Sequence, residues 1–375
     1  MISQLINLSS VKSFKFYKEK YNYSILLFHG LYGIELRNVP SDLLPAQDEK
    51  SGSKIFLANN DLLITGSIQD LLNIISSSKL NNEMISAALK AIQNFEKYET
   101  IKYKIGKKQF DFRFAYSMGI LNVTPDSFSD GGKYLEKNSA VNHAIEMIND
   151  GIDIIDIGGE STRPGSESIS EEEEINRVVQ VIKNILNEKP ETIISIDTTR
   201  ANVAREALKS GAKIVNDISG GTFNPEIFHV VKEFDASMVI MHIKGKPKTM
   251  QNSPIYDDVV TEVYDFLSMQ IEIASDIGIS NIFIDPGIGF GKRVEDNLCL
   301  LARLNDFKSL GFPIVVGVSR KSFIGNILNL PVEDRDDATN AMNAISLCKS
   351  ARIIRTHNSK HAVETCKLYN SLVIN

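Results

Sequence analysis

The sequence of 375 residues predicts an α/β protein, a (β/α)8 TIM barrel preceded by a small α/β domain. From Phe114 onward, a short run rich in Ile and Val is followed by a helical stretch, and this unit occurs eight times. Continuous apolar strands that alternate with helices indicate a parallel sheet covered on both faces. Eight units over roughly 260 residues favour a closed barrel, whereas seven or nine would favour an open doubly wound sheet. The runs are Ser117–Leu121, Ile152–Ile157, Ile193–Ile196, Ile214–Asp217, Met238–Met241, Ile282–Ile284, Ile314–Val318 and Ile353–Arg355.

Two local patterns support this organisation. Ser170 is followed by a run of glutamates, and Glu173 at the third helical position predicts a capping box at the start of a helix. The segment Tyr103–Phe112 predicts a hairpin that closes the bottom of the barrel.

Residues 1–100 lack the repeating pattern and predict a separate small α/β domain, with the barrel domain at residues 107–375. The first domain has no clustered His, Cys or carboxylates and no phosphate-binding glycine loop, so we expect it to be structural and not catalytic. Its predicted strands are Tyr23–Phe28, Lys54–Leu57 and Leu62–Ile64, its predicted helices are Ser67–Ser76 and Asn82–Phe95, and Pro45–Ser53 is a polar loop.

The composition excludes several classes of protein. The formal net charge of −6 gives no basic excess of the kind that nucleic-acid and membrane-surface binders usually carry. Cys299, Cys348 and Cys366 are widely spaced, which argues against a zinc site or a disulfide framework and favours a reducing, cytoplasmic compartment. No apolar run reaches membrane-spanning length, and the N-terminal residues lack a signal-peptide pattern.

Polar or glycine-rich segments follow all eight predicted strands, and active sites of such barrels lie at the carboxyl ends of the strands. Single residues still allow a structural alternative, since Asp197 and Asp285 could cap the following helices and Met241 could be barrel core. We expect His242 to be structural, because the six histidines show no metal-binding spacing. The strand-end residues are Asn122, Gly158, Asp197, Asn216, Met241, Asp285, Gly317 and Arg355.

Two of these segments are long and specific: N-V-T-P-D-S-F-S-D-G-G from Asn122 and G-G-E-S-T-R-P-G from Gly158. M-H-I-K-G-K-P-K-T-M-Q, D-P-G-I-G-F-G-K, S-R-K-S and R-T-H follow. Over residues 107–370, the chain thereby resembles the dihydropteroate synthase family. The resemblance implies condensation of 6-hydroxymethyl-7,8-dihydropterin diphosphate with p-aminobenzoate, giving 7,8-dihydropteroate and pyrophosphate in folate biosynthesis. It also implies Mg²⁺ as cofactor, inhibition by sulfonamides, and a homodimer without nucleic-acid or membrane partners.

The resemblance assigns residues to each part of the substrates, in roles that suit their chemistry. A pterin offers N–H donors to carboxylates and a flat ring to aromatic or guanidinium groups, and a diphosphate needs cations. The implied pterin ligands are Asp197, Asn216, Met241, Asp285, Phe290, Gly317, Lys321 and Arg355. The implied diphosphate ligands are Asn122, which would also bind Mg²⁺, Thr162, Arg163, Arg355 and His357. Phe128, Pro164 and Ser322 would bind p-aminobenzoate.

The same resemblance implies a mechanism in which the bond to diphosphate breaks before the aryl amine attacks. Carboxylates would stabilise the pterin cation, while Mg²⁺, arginine and histidine would stabilise the departing diphosphate. No covalent enzyme intermediate is required. The implied catalytic residues are Asp197, Asp285, Lys321, Arg355 and His357.

Three other functions remain open on the sequence alone. A pterin-binding methyltransferase would share the carboxylates but would not need T-P-D-S-F, S-T-R-P-G or R-x-H. A non-catalytic pterin-binding protein would be expected to lose a phosphate or metal residue, and a fused pterin pyrophosphokinase would need more chain than the first domain offers. The sequence also departs from the family pattern at Ala338, where a Gly-Thr pair is common, and at Thr356 and Asn358, where Val-His-Asp is usual.

Overall fold

The computed structural model describes residues 2–8, 16–17, 19–20, 32–40, 55–78, 80–123, 133–160 and 169–374. The chain divides into two compact units. The first comprises Met1–Glu99 together with Cys299–Phe312, and the second comprises Thr100–Leu298 together with Pro313–Asn375. Within the described ranges, no helix is long and apolar enough to cross a membrane.

The first unit contains a four-stranded antiparallel sheet in the order β1-β2-β4-β3. Leu5, Ile34 and Leu36 of this sheet pack with Leu71 and Met84 of two helices in one buried cluster. Two of the strands and both helices lie where the sequence predicted such elements. The elements are β1 (Ile2–Asn7), β2 (Tyr32–Arg37), β3 (Ile55–Ala58), β4 (Asp61–Gly66), α1 (Ile68–Ser77) and α2 (Asn82–Lys97).

The sequence analysis did not predict β1 and β2, because polar residues interrupt their short apolar runs. Gln4 on β1 is paired with Glu35 on β2, and both side chains are fully buried. Burial of both faces of these strands is a tertiary effect that the local pattern does not contain. The predicted strand Tyr23–Phe28 and the predicted loop Pro45–Ser53 lie outside the described residues.

The segment Cys299–Phe312 completes the first unit and contains a 3-10 helix, Leu304–Leu310. Arg303 and Asp306 each expose 1% of their side chains, and Arg303 Nε lies 3.0 Å from Asp306 Oδ2. Arg303 Nη2 also donates to the hydroxyl of Tyr17 at 3.1 Å. A buried ion pair is tolerated only when its surroundings satisfy both charges. The first unit therefore depends on this segment as well as on the N-terminal residues.

The second unit is a closed barrel of eight parallel strands, which confirms the predicted fold class. Each barrel strand pairs with the next along the chain, and the last pairs with the first, with Ile354 opposite Ser117. Two short strands, β5 (Lys102–Ile105) and β6 (Lys108–Asp111), precede the barrel. The barrel strands are β7 (Tyr116–Asn122), β8 (Ile154–Gly158), β9 (Ile193–Asp197), β10 (Ile214–Asp217), β11 (Ser237–Met241), β12 (Ile282–Asp285), β13 (Ile314–Val316) and β14 (Ala351–Thr356).

Strands β5 and β6 form the predicted hairpin at the amino-terminal end of the barrel. Phe110 and Phe112 are fully buried against residues at the starts of the barrel strands, including Met118 and Ile154. The hydroxyl of Tyr103 donates to the carbonyl of Ile282 at 2.8 Å. The hairpin thus covers the end of the barrel opposite the carboxyl ends of its strands.

At least one helix follows each barrel strand, as the alternating pattern predicts. The start of α4 differs in detail from its prediction: Ser170 Oγ accepts from the Glu173 amide, but the Glu173 carboxylate bonds to Arg177 instead of closing a capping box. The helices are α3 (Lys133–Asp150), α4 (Glu171–Glu188), α5 (Ala201–Lys209), α6 (Glu226–Glu233), α7 (Val259–Ile277), α8 (Val294–Ala302), α9 (Ser322–Leu328), α10 (Asp336–Cys348) and α11 (Ser359–Ile374).

Candidate active site

Polar residues occupy the carboxyl ends of the barrel strands. Asn122, Asp197 and Asp285 are the last residues of β7, β9 and β12, and Asn216 and Arg355 are next to last in β10 and β14. Parallel strands in a barrel place all these ends at one rim. The side chains that sequence analysis selected one by one therefore lie in a common region.

Arg355 joins residues from three strands into one buried network. Its Nε donates to Asp156 Oδ2 at 2.6 Å, and its Nη2 donates to Asp197 Oδ2 at 2.5 Å. Asn216 Nδ2 donates to the same Asp156 oxygen at 3.0 Å. Burial lowers the pKa of Arg355, but the two carboxylates outweigh it and the pKa is raised. The guanidinium is thus a fixed, permanent cation at the barrel rim.

Sequence analysis assigned no role to Asp156, which lies inside β8 in the run I-I-D-I-G. The residue is fully buried, and its Oδ1 has no hydrogen-bond partner in the part of the chain that the structure describes. A buried carboxylate oxygen without a donor is costly. The signal that could have identified Asp156 is a charged residue within an otherwise apolar strand.

Neither Asp197 nor Asp285 caps the helix after its strand. The residue before helix α5 is Arg200, and it provides no side-chain cap, while Asp285 Oδ1 accepts from the Gly287 amide at 2.7 Å in the loop ahead of α8. Burial raises the pKa of Asp285 to about 6, against the Gly287 amide and Lys321, which lower it. Burial also raises the pKa of Asp197, with the Arg355 guanidinium opposing this effect. Both carboxylates are therefore held in costly, desolvated positions.

Lys321 lies beside the aromatic ring of Phe290, with Nζ 4.0 Å from the ring centroid. Its alkyl chain runs over Gly289, where an added Cβ would lie 2.9 Å from Lys321 Cδ. Gly289 also has a φ of +82°, so a side chain is excluded there on both grounds. Burial lowers the pKa of Lys321 to about 8, with Arg355 adding to the effect and Asp285 opposing it.

The apolar part of the site is built on Met241. This residue exposes 4% of its surface and shares a buried cluster with Ile218, Ile243 and Met250, against which Phe290 packs. Met241 is thus barrel core and, at the same time, support for Phe290. The two interpretations left open by the sequence are compatible.

His357 is held by Ser319, a residue of the S-R-K-S segment that sequence analysis did not select. Ser319 Oγ lies 2.9 Å from His357 Nδ1 and accepts from the His357 amide at 3.1 Å. The neighbouring Asn358 donates to Asp336 Oδ2 at 3.3 Å and accepts from the amide of His361. An aspartate at position 358 would face Asp336 with a second negative charge, so the departure from the family pattern suits its surroundings.

Asn122 and Asp197 lie on either side of Gly158. A Cβ added to Gly158 would lie 3.7 Å from Asn122 Oδ1 and 3.7 Å from Asp197 Cβ. The described residues contain no group of three His, Cys, Asp or Glu that could hold a metal ion. Asp197 is already engaged by Arg355. The side chain of Asn122 therefore fits only a metal ion that takes most of its ligands from phosphate and water, as Mg²⁺ commonly does.

Gly317 and Ser322 frame the seventh strand end. A Cβ added to Gly317 would lie 3.7 Å from the Cβ of Arg355, so the chain passes close to the alkyl part of that side chain. Ser322 is exposed and begins α9 directly after Lys321. Four other predicted site residues lie outside the described residues: Phe128, Thr162, Arg163 and Pro164.

Arg200 contacts Glu160, which lies within the G-G-E-S-T-R-P-G segment, and Ile169, which lies four residues after it. Its Nη2 donates to the carbonyl of Ile169 at 2.9 Å and lies 3.2 Å from Glu160 Oε2. The Ile169 amide in turn donates to Glu160 Oε1 at 3.3 Å. Sequence analysis did not select Arg200, because a charged residue at a helix start has no distinguishing local pattern.

Comparisons with known proteins were made with this geometry in hand. A family model described as pterin binding enzyme matches residues 118–357. The dihydropteroate synthase of Synechocystis sp. is 46% identical over 272 residues, which cover 72% of this chain and 94% of that protein. The dihydropteroate synthase of Escherichia coli is 44% identical over 260 residues, which cover 69% of this chain and 92% of that protein.

Solved structures give the same result. The Yersinia pestis dihydropteroate synthase with a sulfonamide drug complex matches with a TM-score of 0.69 and 38% identity, covering 73% of this chain and 100% of that chain. The Xanthomonas albilineans dihydropteroate synthase in complex with 7,8-dihydropteroate matches with a TM-score of 0.66 and 33% identity, covering 72% and 98%. The same enzyme with 4-aminobenzoic acid matches with a TM-score of 0.68 and 35% identity, covering 72% and 97%.

Proposed function

The chain belongs to the dihydropteroate synthase family of pterin-binding enzymes, and from this membership we propose how its own residues carry out the reaction. It is a transferase that condenses 6-hydroxymethyl-7,8-dihydropterin diphosphate with p-aminobenzoate, giving 7,8-dihydropteroate and pyrophosphate in folate biosynthesis. The observation that carries the assignment of residues is the buried network of Arg355, Asp156 and Asp197 at the barrel rim. Its hydrogen-bond acceptors and its one fixed cation support the proposal that a donor-rich ring and a diphosphate bind at this rim.

The pterin is bound through its N–H edge by Asp285 and Asn216. Asp285 gives one oxygen to the Gly287 amide, and no other donor reaches this carboxylate among the described residues. A carboxylate prepared in this way suits the paired donors of a pterin. Phe290 and Arg355 cover the pterin ring. Met241 packs against Phe290 in the barrel core, and Lys321 lies beside Phe290.

Bond breaking precedes attack by the amine. When the C–O bond to diphosphate breaks, its electron pair leaves with the diphosphate and positive charge spreads from the exocyclic carbon into the ring. The carboxylates of Asp197 and Asp285 stabilise this charge in their ionised forms, because hydrogen bonds from Arg355 and the Gly287 amide hold them in place before the reaction begins. Arg355 and His357 favour the departing diphosphate, and the aryl amine then attacks the carbon and loses a proton.

Mg²⁺ is the proposed cofactor, with Asn122 as its protein ligand beside Asp197. When bound, the ion neutralises part of the diphosphate charge. Because the described residues offer so few metal ligands, the ion and the pterin diphosphate should bind together and not in sequence. Thr162 and Arg163 are proposed as further diphosphate ligands.

p-Aminobenzoate is proposed to bind with its carboxylate at Ser322 and its ring against Phe128 and Pro164. Ser322 is exposed at the start of α9, next to Lys321, so a ligand there would adjoin the pterin subsite. This position brings the aryl amine towards the carbon that loses diphosphate.

The enzyme is proposed to act as a homodimer in the cytoplasm. Leu368 and Leu372 of α11 and Ile345 of α10 expose 72%, 77% and 48% of their surfaces. Exposed apolar side chains on two adjoining helices suit a second copy of the chain related by a two-fold axis. Sedimentation of Leu368→Glu/Leu372→Glu as a monomer would support this, and an unchanged state would contradict it.

The predicted division into an N-terminal domain of structural role and a synthase domain is kept as a proposal. The proposed activity and its metal requirement are tested by a synthase assay on the full chain, with Mg²⁺ and with a chelator. We expect product only with the metal, and binding of p-aminobenzoate that is weak until pyrophosphate or the pterin diphosphate is present. Equally tight p-aminobenzoate binding to the free enzyme, measured by calorimetry, would contradict the ordered scheme.

A further inference from the structure

A buried lysine with no assigned role lies beneath the pterin subsite. Lys292, the last residue of D-P-G-I-G-F-G-K, exposes only 3% of its surface. Its Nζ lies 2.9 Å from His242 Nδ1, 3.0 Å from the carbonyl of Phe290 and 3.4 Å from the carbonyl of His242. No carboxylate forms an ion pair with it in the part of the chain described. An ammonium group buried on neutral acceptors alone is costly, and packing does not explain it.

The histidine is the acceptor in this pair. His242 is 6% exposed, and burial lowers its pKa to about 2, with Lys292 and Lys244 adding to the effect. The imidazole is therefore neutral, and since Nδ1 accepts from Lys292, its proton is on Nε2. His242 is structural, as the sequence analysis expected, but its structural role is to hold a lysine.

The loop from Asp285 to Lys292 is closed around this ammonium group. At Gly287, an added Cβ would lie 1.9 Å from the His242 carbonyl and 3.3 Å from Lys292 Nζ. The Gly287 amide bonds Asp285, and the Phe290 carbonyl bonds Lys292. The Lys292 ammonium group thus bonds the backbone of Phe290 directly and lies beside Gly287, whose amide holds the Asp285 carboxylate.

We propose that Lys292 is a positioning residue of the pterin subsite, whose ammonium group, held on the imidazole of His242, fixes the loop that carries Asp285 and Phe290 and favours the ionised form of Asp285. The inference rests on the proposed function. Three cations face Asp285, namely Lys321, Arg355 and Lys292, and each lowers its pKa. Lys292 itself is influenced by Asp285, Lys321, Asp296 and Lys244, and burial lowers its pKa to about 7. Its charge is therefore present on the acid side of neutrality, where Asp285 titrates.

The test is the pH dependence of pterin binding to the full chain, measured by calorimetry with 6-hydroxymethylpterin as the probe. Lys292→Met removes the charge and the donors, so the pKa of Asp285 should rise. At pH 6 the variant should bind the probe about fivefold more weakly than wild type, if the pKa of Asp285 rises by one unit from about 6. The difference should narrow towards pH 8, where Asp285 is ionised in both proteins.

Three further variants separate a positioning role of Lys292 from a contribution to general stability. Lys232→Met, the matched control, removes an exposed lysine that donates to the carbonyl of Gly278 at 2.9 Å, and it should leave the binding curve unchanged. His242→Gln keeps an acceptor for Lys292 and should bind nearly normally, whereas His242→Leu should follow Lys292→Met. These histidine variants decide the question if Lys292→Met does not fold.

The outcomes separate this inference from the proposed function. If wild type binds no pterin at any pH, the proposed function fails. If wild type binds pterin while Lys292→Met, or in its place His242→Leu, melts at a lower temperature with an unchanged pH midpoint and affinity, Lys292 is structural only and the inference fails. A midpoint shifted upward and reduced affinity at pH 6 would support it.

Discussion

Asp197 Oδ2 accepts a 2.5 Å hydrogen bond from Arg355 Nη2, although their strands, β9 and β14, are not neighbours in the barrel. The bond therefore crosses the mouth of the barrel. It fixes a carboxylate and a guanidinium in space before substrate arrives, which is the arrangement that electrostatic catalysis requires.

The first prediction concerns this pair. Asp197→Asn should lower kcat/KM severely and leave the fold intact, because one preorganised contact is typically worth about 3–4 kcal/mol of barrier. Asp217→Asn is the control: Asp217 is fully buried at the end of the neighbouring strand, and its carboxylate bonds only to Ser219 and Gly221 of its own loop. That variant should lower the melting temperature with a smaller effect on kcat/KM. Near-normal turnover in Asp197→Asn would remove Asp197 from the mechanism.

The raised pKa of Asp285 predicts that the affinity for pterin falls at low pH. The carboxylate must be ionised to accept pterin N–H donors, and burial raises its pKa to about 6, so affinity should fall as pH drops below that value. The stability effect has the opposite sign. Because the folded protein binds this proton more tightly than the unfolded chain, stability should fall as pH rises through 3.8 to 6. Asp285→Asn should thus abolish pterin binding at every pH, while the melting temperature at pH 8 stays the same or rises. A lower melting temperature at pH 8 would argue that the carboxylate is structural.

Asp156 should prove as important as the carboxylates that the sequence revealed. Asp156→Asn weakens a buried ion pair with Arg355, and loss of one partner of such a pair typically costs about 3–5 kcal/mol of stability. Urea unfolding should report that loss, together with a large fall in kcat/KM. The double variant Asp156→Asn/Arg355→Met also deprives Asp197 of its partner, so it should recover neither stability nor activity. Recovery of activity, or near-normal kcat/KM in the single variant, would contradict a role for Asp156 at the site.

Sulfonamides should compete with p-aminobenzoate, because a sulfonyl group can take the place of the carboxylate at Ser322. Ser322→Ala should raise KM for p-aminobenzoate and Ki for the sulfonamide together, in steady-state assays. Asn326→Ala, at an exposed position of the same helix, is the control and should change neither constant. Inhibition that excess p-aminobenzoate cannot relieve would count against this subsite.

Removal of the first domain tests its structural role. A chain that begins at Tyr98 keeps the β5–β6 hairpin. It also keeps Cys299–Phe312 but lacks nearly all the other residues of the unit to which that segment belongs. We expect lower stability or an altered oligomeric state with synthase activity retained at low temperature, measured by thermal melts and the standard assay. Ile34→Ala in the full chain is the point-variant control, and it should cost about 2–5 kcal/mol without changing kcat. A truncated protein that is folded and monodisperse but inactive would mean that the domain contributes to the active site.

The sequence by itself determined the barrel and most of the rim. Runs of Ile and Val alternating with helices leave few other parallel folds, and in a closed barrel every strand end must reach one rim. Asp197, Asp285 and Arg355 could therefore be assigned to one site from their positions after strands, with the family motifs assigning their partners among the substrates.

Only the tertiary structure decided which side chains touch across the barrel. Asp156 and Arg355 are 199 residues apart in the sequence. Their bond forms because the last strand, β14, pairs with the first, β7, and this brings Arg355 within reach of the second strand, β8. The same holds for Lys292 on His242, and for Cys299–Phe312, which leaves the barrel's repeat to complete the first unit. Local sequence patterns indicate which face of an element is buried. The partner of a buried charge, however, lies far away in the sequence and is brought into contact only when the chain folds.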